Sequence, residues 1–187
     1  IDVQSAVWPV RGNRTLAELV QREYEEIGPP AWSAEDDALA RTLQQRAGVK
    51  VEGLSCDVMR MKGPTTQKPA SNDAGDVSWK VPMAKFYFPA NISYHHWAAG
   101  VALATPIAHK GTVAGAKVLA ACVLEILANP AIVEEAKKTF AEELGDTKWF
   151  SMLPKEQKPP VDLNRATMER YRAAMRAYYL KERPRFS

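Results

Sequence analysis

The sequence predicts a mixed α/β domain, with helices laid over a sheet, and three features point that way. Short segments with apolar residues at every second position recur at residues 1–10, 77–82 and 84–88, the pattern of half-buried strands. Between and after them stand longer segments whose apolar residues fall at helical spacing. One of these, 111–128, leaves little polar face, as expected of a helix buried against a sheet. Strands alternating with helices then give a mixed sheet flanked by helices.

Taken in order, Val3, Ala6, Trp8 and Val10 give residues 1–10 the pattern of a strand or an extended segment. Asn13 opens a helix with Leu16, Leu19, Val20, Tyr24 and Ile27 along one face. Gly28-Pro29-Pro30 stops it, because glycine relieves the last turn and proline cannot continue it. Ser33 caps a second helix, with Asp36 three residues on in a capping-box arrangement. Leu39, Leu43 and Ala47 form its buried stripe, Gly48 ends it, and the two helices read as an antiparallel connector. Residues 63–75 are polar and rich in Pro, Ser, Thr and Asn, a long loop of the kind that tends to carry function or move. Residues 92–104 carry the cluster Tyr94-His95-His96-Trp97. After the apolar helix, Asn129-Pro130 starts another, with Ile132, Val133, Ala136, Phe140 and Leu144 at helical spacing. A Pro- and Lys-containing connector, 149–160, leads to a terminal helix over 161–179. Its stripe of Met168, Tyr171, Met175 and Tyr178 reads as a face docked back onto its own domain.

Composition narrows the class. Apolar residues make up 46% of the 187 and charged residues 25%, the balance of a globular chain rather than a disordered one. Lys and Arg outnumber Asp and Glu by 25 to 22, and much of that excess lies in 155–185 without interleaved stacking aromatics, so no nucleic-acid partner is expected. No stretch approaches the ~18 uninterrupted apolar residues of a membrane helix, so no membrane partner is expected either. The two cysteines, Cys56 and Cys122, show no spacing pattern, and Cys122 lies in an apolar run as a small buried hydrophobe. That usage favours a reducing, cytoplasmic setting. The chain starts Ile1-Asp2 without Met, which reads as a removed start or a piece of a longer product and leaves secretion open.

Three histidines are few enough to weigh singly. His109 lies directly before the apolar helix, in Thr105-Pro106-Ile107-Ala108-His109-Lys110-Gly111, where a loop between core elements can present an imidazole as a ligand. His95 and His96 are neighbours on an extended segment and point to opposite faces, so only one of them can face a given site. The acidic segment 71–79 holds Asp73 and Asp76 among Ser71, Asn72, Gly75 and Ser78. Such carboxylates can orient a metal's ligands, hold a substrate or simply close an Asx turn. No Gly-rich phosphate loop, Cys-pair zinc pattern or nucleophile elbow occurs.

At these residues the chain resembles a known family. Asp73-Ala74-Gly75-Asp76-Val77-Ser78-Trp79-Lys80-Val81-Pro82 resembles the DVGDVSW-x-VP signature of the aminobenzoyl-glutamate hydrolase B-subunit branch of the two-metal aminoacylase/carboxypeptidase-type amidohydrolases. Ile107-Ala108-His109-Lys110-Gly111, followed by 114–120, is similar to that branch's IAHKG…AGKVLA segment. The segments 13–19 and 28–36 also match in order, so the resemblance spans roughly 13–144.

The resemblance implies a metal-dependent enzyme that cleaves the amide bond of an N-acyl or aroyl amino acid, an aminobenzoyl-glutamate-like small molecule. Residues 1–12 would end an inserted lid or dimerisation domain, and 13–50 would be the connecting helix pair. Residues 51–145 would be the C-terminal part of the catalytic domain, and 146–187 a linker and helix. His109 would be a metal ligand for zinc or manganese, with Asp73, Asp76 and His95 beside the site orienting ligands or substrate. The metal pair would polarise the amide carbonyl and activate a water, and a glutamate would carry the proton to the leaving amine. That glutamate and the other ligands would come from a preceding region. The chain alone is therefore expected to bind metal weakly and hydrolyse nothing, acting with the remainder of its parent enzyme and in keeping with a homodimer. The alternative is a noncatalytic interaction module.

Overall fold

The computed structural model of this protein describes residues 3–61, 72–88 and 97–178. Among them every regular element is helical. They are α1 (Arg14–Ile27), α2 (Ala34–Ala47), α3 (Ala74–Ser78), α4 (Trp97–Ala102), α5 (Pro106–Ala128), α6 (Ala131–Leu144) and α7 (Arg165–Met175), the last followed by a 3-10 turn at Arg176–Tyr178. The expected α/β architecture, a mixed sheet flanked by helices, is thus corrected: no strand forms among the described residues. The segment read as a strand at 77–82 is overtaken by local bonding. The Asp73 side chain accepts from the Ala74 amide, and the Ser78 hydroxyl donates to the Gly75 carbonyl at 2.6 Å, closing the short helix α3. Residues 84–88 are irregular and form no strand ladder with another segment among the described residues, and a strand exists only through such a ladder.

The chain divides into two compact units, Val7–Trp149 and a smaller one of Ile1–Ala6 with Phe150–Ser187. In the larger unit α1 packs against α5 and α6, and α2 packs against α4 and α5. One apolar cluster of the core joins the buried Leu19, Val118 and Cys122, with Val20, Tyr24, Ile27, Phe86, Ile126 and Ile132 packed around them. Burying a Val or Leu side chain in full contributes about 1.5–3 kcal/mol. Tyr24 and Phe86 meet edge to face at 5.7 Å, and the Tyr24 hydroxyl donates to the Tyr87 carbonyl. Gly115 lies so close to the Phe88 ring that a Cβ there would collide with it.

The helix caps follow the sequence. Asn13 accepts from the Leu16 amide at 3.1 Å and, itself almost fully buried, donates to the Ala136 carbonyl at 3.0 Å, fastening the head of α1 to α6. Its own amide donates to the Met83 carbonyl at 2.8 Å. Ser33 and Asp36 form the expected capping box, with both halves present. Gly48 ends α2 in the left-handed conformation, which glycine adopts without the Cβ penalty.

Helix α5 departs from expectation in two ways. It starts at Pro106 rather than Gly111, because Thr105 is extended and a proline at the first helical position gives up an N–H the first turn does not need. It is also not buried all round. Ile107, Ala108, Gly111, Ala114, Gly115, Val118 and Cys122 form one buried face, while Val113, Leu119, Val123, Leu124 and Leu127 stand 46–73% exposed on the other. Among the described residues α5 is the one helix long and apolar enough to cross a membrane, a test that core helices of soluble proteins also pass. In the smaller unit, the Gln157 side chain donates to the Val3 carbonyl at 2.7 Å. Helix α7, in the same unit, buries none of its residues, and Tyr171 and Tyr178 are exposed.

Candidate functional site

His109 is on a helix, not in a loop. Thr105 donates its hydroxyl to the Ala102 carbonyl at 2.6 Å and, with Pro106, launches α5, so that His109 falls in the opening turns with its backbone amide directed at the Thr105 carbonyl. The residue is exposed and lines an open, largely apolar cleft of about 530 Å³. The Gly28-Pro29-Pro30 stop after α1 forms one wall, and Ile27, Val113 and Lys117 stand among the other lining residues.

Lys110, beside His109 in the lining, forms an ion pair with Asp36, whose side chain is only 7% exposed. Asp36 thus serves twice: it accepts from the Ser33 amide at 2.8 Å in the capping box, and it anchors the start of α5 to the start of α2. The Lys110 ammonium, with the Ser33 amide, holds the Asp36 carboxyl below the usual carboxylate range against the opposing effect of burial. Nothing in the sequence signals this pair. The capping box accounts for Asp36 completely, and a separation of 74 residues leaves no local pattern linking it to Lys110.

The acidic segment has structural work. Asp73 is exposed and its carboxylate accepts from the adjacent Ala74 amide, while the Asx turn is made by Asn72, whose side chain accepts from the same amide two residues on at 3.1 Å. Asp76 accepts from the Trp149 indole N–H at 2.7 Å, and Lys80 lies over the same indole, 4.2 Å from its centre. Ser78 accepts from the Arg11 amide at 3.0 Å, and the Trp79 indole donates to the Pro9 carbonyl at 2.7 Å. Trp8 packs on Trp79 with ring centres 4.6 Å apart, and the Arg11 guanidinium covers the same ring at 4.5 Å. His95 lies outside the described residues, as does His96.

Whether these residues fit a metal follows from the donors. No carboxylate lines the His109 cleft among the described residues. Among those residues, too, no three His, Cys, Asp or Glu side chains converge as a cage. One exposed imidazole is a ligand and not a site: structural and catalytic zinc sites take three or four protein donors. Among the described residues no such set of donors is brought together around His109.

No family model matches the chain, and no solved structure matches it. One curated relative does. Over 175 aligned residues the chain is 24% identical to the B-subunit of p-aminobenzoyl-glutamate hydrolase from Escherichia coli (strain K12), an alignment covering 79% of this chain. The chain spans just over a third of that relative's length, 36%. The likeness connects it to a hydrolase component at a distance.

Proposed function

We propose that this chain is the C-terminal portion of a metal-dependent amidohydrolase acting on an N-acyl or aroyl amino acid, to which it contributes one ligand, His109. The observation that supports this is the placement of His109, exposed at the head of α5 beside a cleft, in a chain whose similarity runs to a component of p-aminobenzoyl-glutamate hydrolase. Its ring makes no hydrogen bond among the described residues, so a nitrogen lone pair is free for a divalent zinc or manganese ion. The remaining donors and the general base would come from outside the described residues. Asp73 and Asp76 are read as supports of the fold, since their oxygens already hold Ala74 and Trp149.

The test is metal analysis of the protein with its upstream coding region restored. The restored protein should bind divalent metal and release the amine from an aroyl amino acid. His109→Ala should lower the metal content and cut turnover at least about a hundredfold, the scale of losing a group essential to the chemistry. Undiminished metal and a near-normal rate in that variant would remove His109 from the ligand set. The 187-residue chain by itself should bind metal weakly and hydrolyse nothing.

A further inference from the structure

The C-terminal stretch has an excess of positive charge and nothing buried. Residues 150–187 hold nine Lys and Arg against four Asp and Glu, whereas 7–149 hold 16 against 17. Among residues 150–178 none is buried, and Val161, Leu163 and Tyr178 stand 84%, 69% and 88% exposed. Helix α7 has 11 residues, and a helix that short is marginal in water unless an apolar face is packed. It has such a face. At about 100° per residue, Met168 and Met175 fall within about 20° of one line down the helix. Tyr171 stands about 50° to one side of that line and Arg172 about 50° to the other, with Arg165 and Arg176 beyond it. Arg165 pairs with Asp162, and Arg170 lies over the Tyr171 ring. Arg172 and Arg176 have no ion-pair partner among the described residues.

We propose that α7, with the residues just before it, anchors the chain on an anionic lipid surface. The helix lies along the headgroups, with Met168, Tyr171 and Met175 toward the acyl chains and the arginines on lipid phosphates. It rests on the bilayer and does not cross it, since 11 residues rise only about 17 Å. Three observations support this. A basic flank beside an apolar line is the form of an interfacial helix, and clustered cations add to one another against a sheet of phosphates. The four cations of α7 and its following turn are all arginine. The planar arginine fork takes phosphate oxygens two at a time, and its stem lies along an apolar face while its head stays in water. Finally, the exposed apolar residues are spread along the chain: Val161 and Leu163 precede the helix, and Tyr178 follows it. A groove on a protein takes one line of anchors, whereas a fluid interface takes them all. The anchor is independent of the hydrolase reading and of any metal.

The experiment mixes the 187-residue chain with vesicles of phosphatidylcholine and phosphatidylglycerol in equal parts, and with vesicles of phosphatidylcholine alone. The chain should sediment with the first and stay in solution with the second. It should come off as salt is raised, and its helical circular dichroism should grow on binding. Arg172→Gln combined with Arg176→Gln should weaken binding at least about tenfold, given roughly fivefold for each cation at an anionic surface. Lys137→Gln with Lys138→Gln removes the same charge from α6 and should change nothing. Tyr178→Ser should weaken binding severalfold. All five sites are exposed, and thermal melts verify that the variants fold as the parent does. Sedimentation with neither vesicle, or with both alike, overturns the inference. So does binding that survives the arginine variant, or an equal loss in the lysine variant. Resistance of Tyr171 and Tyr178 to iodination in the vesicle-free chain, located by mass spectrometry, would show that the chain itself covers α7 and would overturn it too. Tighter binding to polyglutamate than to the mixed vesicles would replace the lipid surface with an acidic protein partner.

Discussion

Asn13 offers the sharpest test of how the larger unit is assembled. Its carboxamide is 1% exposed and makes two bonds of different kinds, one capping α1 through Leu16 and one crossing to the Ala136 carbonyl of α6. Removing an N-cap side chain costs about 1 kcal/mol. Losing the cross-link costs about another 1 kcal/mol, at the low end of the range for a buried bond, because the Ala136 carbonyl is also served by its own helix. Asn13→Ala should therefore destabilise by about 2–3 kcal/mol, including a small cavity. Asn13→Ser keeps a capping oxygen and should cost only about 1 kcal/mol. Asn13→Asp keeps the cap too, but sets an unpaired carboxylate against the Ala136 carbonyl, and should cost at least as much as alanine. Urea unfolding followed by tryptophan fluorescence ranks the three. An aspartate variant as stable as the wild type would refute the buried Asn13–Ala136 bond and with it this account of how α6 is fastened.

Other consequences can be checked with the same chain. The Asp36 carboxyl is held below its ordinary value by Lys110, so its contribution to stability is complete above about pH 4 and is lost as pH falls through the depressed value. Lys110→Met should lower stability at pH 7 and flatten the loss below about pH 4 in acid titrations of unfolding. Burial pushes the Cys122 thiol up, with the Glu23 carboxylate adding to it, so iodoacetamide at neutral pH should label the exposed Cys56 and reach Cys122 only after unfolding. Gly115→Val should destabilise by about 1–3 kcal/mol through the Phe88 ring, whereas Gly100→Ala, in open space on α4, should stabilise by up to about 1 kcal/mol. Thermal melts of the pair give opposite signs if the Phe88 contact is real.

What the sequence disclosed was largely local. The Asn13 and Ser33 caps and the Gly28 and Gly48 stops mark α1 and α2 because each acts within four residues of its own position. The sheet could not be read in the same way: alternation at Val77, Trp79 and Val81 is compatible with a strand, but Asp73 and Ser78 close a turn first, and no ladder partner lies among the described residues. The head of α5 lies at Pro106, ahead of the apolar run from Gly111, because a proline at the first helical position already supplies a start. His109 was found as a residue type in a recognisable setting. Its exposure along a bare helical face could be seen only once the opposite face had found α1. The Lys110–Asp36 pair, a contact made wholly by tertiary structure, had no sequence signal.

The bonds made by the short helix α3 also bear on how the larger unit could be handled. Trp79 grips Pro9 and Asp76 grips Trp149, so two residues three apart hold the chain where it enters this unit and where it leaves. Entrance and exit thus share one doorway. A module with that topology can be circularly permuted with a short linker, or spliced into a surface loop of a host protein without stretching either side. Asp76→Ala would unlatch only the exit, a change that limited proteolysis near residue 149 would detect while the core around Val118 stays closed.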